Sequence, residues 1–272
     1  MNTLFTKAFR RLKRAAGIDA ESLSKREHLR ENARDVESGH NSISYVNMAI
    51  DRFKNMGGSF NGFALTESSM RSFFYNLLQI NSPEYTIVEL GGGQSTLFLI
   101  EISKYVNIKV FTYEHDPGWA KFLQEKVANN KNMQVFNLPI KQIDDNYRSD
   151  MFNSPQRSNE IWGKFSNYVP KELYKNLVLK NSFYEIKSNN LPEHNVDGLI
   201  VDGPHGNGRS ICFPLLHNII KNGTIVLMDD YHHYPFLDDM GKIFTYEIIE
   251  KRKYKHSNKG WVVVKVLYAN NH

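Results

Sequence analysis

Ile87-Val88-Glu89-Leu90-Gly91-Gly92-Gly93-Gln94-Ser95-Thr96 sets three glycines between an apolar run of strand length and a helical pattern. Glycines there permit positive φ and close approach of backbone to a ligand, and the start of the following helix offers free N–H groups. The next strand-length run ends in Tyr113-Glu114-His115-Asp116, which places Glu114 21 residues beyond Gly93. An acid at the tip of a second strand is positioned to accept both ribose hydroxyls of an adenosine-containing ligand. A tight turn followed by a merely solvated acid would explain each feature alone, but not their joint position at successive strand ends.

Working outward, the strand-length runs are Thr86 to Leu90, Lys109 to Tyr113, Met133 to Leu138, Val196 to Val201 and Thr224 to Met228. Helical patterns separate them, which predicts a Rossmann-like, doubly wound α/β sheet. The fifth run is expected to follow a helix stopped near Lys221, Asn222 and Gly223. Upstream, Met70, Phe73, Phe74, Leu77 and Leu78 predict a buried helix over 68–80, halted by Asn81, Ser82 and Pro83. Residues 141–194 form a polar, aromatic insertion too long for a simple connection, read as a lid or acceptor-binding element. Its Trp162, Phe165, Tyr168 and Tyr174 either stack on an acceptor or form the lid's own core. Downstream, a helix over 236–250, a turn at 257–260 and a strand from Trp261 to Leu267 suggest a closing hairpin. The predicted division is therefore an N-terminal helical extension, 1–60, and a ligand-binding domain, 61–272.

Two further strand ends carry acids, in Val201-Asp202-Gly203-Pro204-His205 and in Met228-Asp229-Asp230-Tyr231-His232. In a doubly wound sheet these tips open on the same crevice as the glycine turn. Three carboxylates together repel one another, and a divalent cation with oxygen ligands, Mg²⁺, would relieve that repulsion. Asp202, Asp229 and Asp230 are thus the candidate metal ligands, unless they only cap turns and helices. His205, with His232 as the alternative, is the candidate general base, beside Asp202. Arg209 is read either as an anchor for an acidic acceptor or as a surface ion pair.

A dinucleotide fingerprint wants glycine where this chain has Thr96. Glu89-Leu90-Gly91-Gly92-Gly93 instead resembles the E-x-G-x-G turn of class I S-adenosylmethionine-dependent methyltransferases, over about residues 65–268. The resemblance implies a seven-stranded sheet, mostly parallel with an antiparallel C-terminal strand. It also implies a cofactor site of Glu89, Gly91, Gly92, Gly93, Ser95 and Thr96 around the methionine portion. Glu114 would hold the ribose, and Leu138 would lie near the adenine. Thr66, in Leu65-Thr66-Glu67-Ser68-Ser69-Met70, resembles a segment bordering the cofactor in O-methyltransferases. The spacing from Asp202 to the Asp229-Asp230 pair resembles the Mg²⁺ ligands of catechol-type and macrocin-type O-methyltransferases. His205 stands where the catechol type carries a lysine.

The 272 residues are 41% hydrophobic and 23% charged, with a single cysteine, Cys212, which excludes a disulfide scaffold and suits a reducing compartment. Mean hydropathy is −0.48, and no apolar stretch has the length to span a bilayer. The chain therefore reads as soluble and cytoplasmic. The net charge of +5 is concentrated at the start, where Lys7, Arg10, Arg11, Lys13 and Arg14 oppose an apolar arc of Leu4, Phe5, Ala8, Phe9 and Leu12. Such a helix suits peripheral contact, through residues 1–18, with the inner face of an anionic membrane. An ordinary terminal helix and a transit peptide are the alternatives. The expected function is Mg²⁺-assisted O-methylation of a sugar, glycan or other polyol, polysaccharide precursors included. Metal-independent methyl or aminopropyl transfer, and a membrane-associated non-catalytic protein, are the competing readings. No nucleic acid partner is expected, because basic residues are not interleaved with aromatics.

Overall fold

Adjacent residues of the central strands face opposite ways, and both faces are apolar, so the sheet must be covered on both sides. The computed structural model describes residues 41–60, 64–174, 179–254 and 259–270. The basic N-terminal arc lies outside them. Ile87 and Ile200 point into one core with Val110, Leu227 and Val263, while Val88, Leu199, Val226 and Val262 point into the other. Each fully buried side chain of this size contributes about 1.5–3 kcal/mol relative to exposure.

The seven-stranded sheet uses β1 (Tyr85–Leu90), β2 (Ile108–Glu114), β3 (Met133–Asn137), β7 (Val196–Val201), β8 (Ile220–Asp229), β9 (Phe244–Lys253) and β10 (Gly260–Ala269), in the order β3-β2-β1-β7-β8-β10-β9. Pairing is parallel except that β10 runs antiparallel to both of its neighbours. The order reverses at β1 and β7, and this switch point is where the crevice opens. A second sheet of three strands, β5-β4-β6, is formed by β4 (Ile140–Gln142), β5 (Asn167–Tyr168) and β6 (Ser182–Tyr184).

One face is covered by α1 (Asn41–Asn55), α2 (Glu67–Leu78), α3 (Gln94–Ile102) and α4 (Pro117–Val127). The Thr66 hydroxyl accepts the Ser69 N–H and caps α2. From α1, assigned by sequence to the extension, Val46, Ala49, Ile50 and Phe53 enter this same core. The other face is covered by α5 (Asp145–Asn153), α6 (Ser158–Phe165), α7 (Cys212–Leu215) and α8 (Phe236–Ile243). The insertion thus supplies Phe152, Trp162 and Phe183 to the second core layer. Phe165 stacks on Tyr147 with ring centroids 4.0 Å apart, whereas Tyr168 is exposed.

Two expectations are corrected. The helix expected over 236–250 ends at Ile243, and Phe244–Lys253 is a strand. Gly241 weakens the helix, and the β-branched and aromatic run that follows pairs with β10 instead. Nor does a helix reach Lys221: α7 ends at Leu215 and β8 has already begun at Ile220, with Gly223 at φ +91° in an irregular stretch of the strand.

Candidate active site

The glycine turn is fixed by a buried hydrogen-bond chain. Gly93 N–H donates to Thr96 Oγ1 at 2.9 Å, and the Thr96 and Thr112 hydroxyls both donate to Glu89 Oε2 at 2.7 Å. Glu89 is fully buried, and burial raises its pKa to about 7 against the hydroxyls of Ser95, Thr96 and Thr112. It braces the turn from beneath. Gly91 has φ +93°, and a Cβ there would stand 2.8 Å from Gly203 N. Only glycine satisfies both conditions. At Gly92 a Cβ would meet Leu123 and Thr112, whereas Gly93 is open, with only Trp119 Nε1 at 3.8 Å. Trp119 Nε1 donates to Gly92 O at 2.7 Å and steadies the turn from α4.

Glu114 ends β2. Its Oε1 accepts the N–H groups of His115 and Asp116 at 2.8 and 2.7 Å, which fix the carboxylate's direction. Leu138 donates its N–H to Glu114 O at 2.9 Å, so the end of β3 lies alongside the end of β2.

The acid loops are tied to the same turn. Leu90 O accepts the N–H groups of Asp202 and Gly203, at 2.9 and 2.6 Å. Arg209 is buried, not a surface residue: Nε donates to Pro204 O at 2.8 Å, Nη1 to Asp229 O at 3.3 Å, and Nη2 stands 3.9 Å from Asp202 Oδ1. Burial raises Asp202 to about 6, with Arg209 opposing and Asp230 adding to the shift. Burial and the neighbouring Asp202 and Asp230 raise Asp229 to about 8. Together the pair retains a proton across neutral pH. Asp230 has φ +52° and donates its N–H to Gly260 O at 2.7 Å.

Among the described residues, no three His, Cys, Asp or Glu side chains are grouped as metal ligands. The candidate Mg²⁺ ligands Asp202, Asp229 and Asp230 stand close enough for their charges to act on one another. The charges acting against the acids' repulsion are those of Arg209 and Lys259.

His205 is exposed at the rim, where partial desolvation, then Arg209 and His115, lower its pKa. It is neutral near pH 7 and able to accept a proton. The His232 ring packs on the start of β10, where a Cβ on Gly260 would lie 2.9 Å from Nδ1. Thr66 lines a cavity together with Ser59, Tyr254 and Lys259.

The sequence did not single out Tyr184. It is fully buried, its Oη has no hydrogen-bond partner among the described residues, and a Cβ on Gly203 would stand 2.5 Å from that oxygen. Burial, and then Glu114, raise its pKa well above 10, so the hydroxyl keeps its proton against the Gly203 loop. Its ring and that of Tyr174 flank His115, at 6.1 and 5.4 Å. This unsatisfied donor, the glycine cradle and the oriented Glu114 together fit an adenosine-bearing cofactor with polar groups.

Glu89, Asp202 and Asp229 have folded pKa values above their unfolded ones, so the folded state holds more protons between about pH 4 and 8. Their stabilisation is complete below the unfolded values and is lost as pH rises through 6 to 8. Denaturant titration is expected to show unfolding free energy falling from pH 5 to pH 8, by up to ~1.4 kcal/mol per pH unit for each proton retained. A flat or rising profile would contradict this account.

A sequence model of the family described as "Methyltransferase domain" matches residues 88–231. No curated protein matches the chain. Among solved structures, the precorrin-6y methyltransferase of Geobacter metallireducens is 12% identical, with 75% of this chain and 90% of that chain covered and a TM-score of 0.40. The fibrillarin of Aeropyrum pernix, solved with natively bound S-adenosyl-L-methionine, is 12% identical, with 66% of each chain covered and a TM-score of 0.38.

Proposed function

The chain belongs to the methyltransferase-domain family and is an S-adenosylmethionine-dependent methyltransferase, and from that premise we propose that it methylates a hydroxyl of a sugar or other polyol without a metal ion. The observation that carries the reading is the joining of two devices at one crevice: the Gly91–Gly93 cradle with Glu114, and the carboxylates of Asp202 and Asp229 around buried Arg209. S-adenosylmethionine supplies, when bound, a methyl group on a positively charged sulfur. Glu114 holds the ribose, and the Tyr184 hydroxyl donates into the crevice. An aliphatic hydroxyl is a weak nucleophile and must lose its proton as its oxygen attacks. Asp202, ionised above about pH 6, and neutral His205 are the groups able to take that proton.

Metal independence is favoured by Arg209 and Lys259, whose charges act where a cation would be needed. The rim of carboxylates, imidazole and hydroxyls favours a polar acceptor. Methyl transfer to a panel of sugar and polyol acceptors, followed by release of S-adenosylhomocysteine, is expected to persist in EDTA. Turnover lost in EDTA and restored by Mg²⁺ would overturn the metal-free reading. Turnover only with amine acceptors would overturn O-methylation.

A further inference from the structure

Beside the crevice lies a cavity of about 840 Å³ whose wall carries three cations, Lys54, Arg71 and Lys259, against one carboxylate, Glu67. Glu67 is already engaged: Lys54 Nζ donates to one of its oxygens at 3.0 Å, and Arg71 Nη2 to the other at 2.8 Å. The wall therefore keeps an excess of two positive charges. Hydroxyls stand among the cations, with Ser68 Oγ and Tyr254 Oη 2.9 Å apart. Ser68 belongs to the first turn of α2, so the positive end of that twelve-residue helix faces the same wall.

Lys259 joins this cavity to the reaction centre. It lines the wall, and its charge acts on Asp202 and Asp229. Its Nζ donates to a backbone carbonyl, Ala64 O, at 3.3 Å, and the next residue, Gly260, accepts the Asp230 N–H. On the other side, the N–H of Ser59, a wall residue, donates to Gln94 Oε1 at the start of α3, directly after the glycine turn.

We propose that this cavity binds a phosphate group carried by the methyl acceptor, so that the substrate is a phosphorylated hydroxyl compound. A phosphate carries close to two negative charges and strong acceptor oxygens, matching the excess charge and the hydroxyl donors of the wall. Held there, the acceptor reaches past Lys259 to Asp202. The inference rests on the methyl-transfer reading of the adjacent crevice.

The test is calorimetric titration of pyrophosphate into the full chain saturated with S-adenosylhomocysteine. One equivalent is expected to bind, at least 10-fold more weakly in the Lys54→Gln/Lys259→Gln double variant and several-fold more weakly in Lys54→Gln alone, whose side chain is half exposed. Affinity for S-adenosylhomocysteine should stay within about twofold of wild type in Lys54→Gln. Pyrophosphate binding unchanged by either variant would overturn the proposal. So would mutual exclusion of pyrophosphate and S-adenosylhomocysteine, which would assign the cations to the donor's carboxylate. Pyrophosphate binding by a wild-type chain that binds no S-adenosylhomocysteine would instead overturn the methyl-transfer reading and the assignment to an acceptor, leaving a bare anion site.

Discussion

Glu114→Ala is expected to weaken S-adenosylmethionine binding about 100-fold, with little change in fold. The size follows from hydrogen bonds between an ionised carboxylate and two ribose hydroxyls, each worth about 1.5 kcal/mol or more. The N–H groups of His115 and Asp116 that Glu114 now accepts are partly buried, and water can replace the carboxylate there. The thermal midpoint should therefore fall by only a few degrees, consistent with a loss of about 1 kcal/mol. Glu114→Gln keeps an acceptor oxygen and loses the charge, and is expected to fall between, at about 10-fold. Calorimetric titration of both variants separates the cases. Unchanged affinity in both would remove Glu114 from the cofactor site.

Arg209→Met is expected to cost about 3 kcal/mol or more of stability at pH 7.5, and much less at pH 5. The buried guanidinium donates to two backbone carbonyls and stands against Asp202. Without it, two raised carboxylates face each other with only Lys259 opposing them. At pH 5 both already carry protons in the folded state, so the electrostatic part of the loss disappears and the lost carbonyl bonds and packing remain. Denaturant unfolding at both pH values checks this. Equal losses would mean that Arg209 acts by packing alone.

The features legible in the sequence were those with a fixed address on a strand. The glycine turn, Glu114 and the aspartates all sit at the ends of apolar runs, and a doubly wound sheet leaves such ends only one place to go. Features that depend on a distant segment were not legible. Tyr184 belongs to a three-residue strand inside the insertion, and nothing in Ser182-Phe183-Tyr184 marks it as reaching Gly203. The three acids suggested a divalent cation, and counting carboxylates could not show that Arg209 is buried beside Asp202. The helix expected through residue 250 failed for a related reason. Phe236, Met240, Ile243 and Phe244 keep helical spacing into a segment whose conformation is decided by its pairing with β10.

β10 lies between β8 and β9 although it follows both in the chain. During synthesis, then, neither strand can be completed when it emerges. β8 waits with Ile225, Val226, Leu227 and Met228 along an unpaired edge, and β9 has no other partner in the sheet among the described residues. An apolar strand held open in this way is a template for pairing with a neighbouring chain. The period of greatest exposure to aggregation on the ribosome therefore comes late, after the glycine turn and the acid-bearing strand ends have been made and before residues 260–269 close the gap.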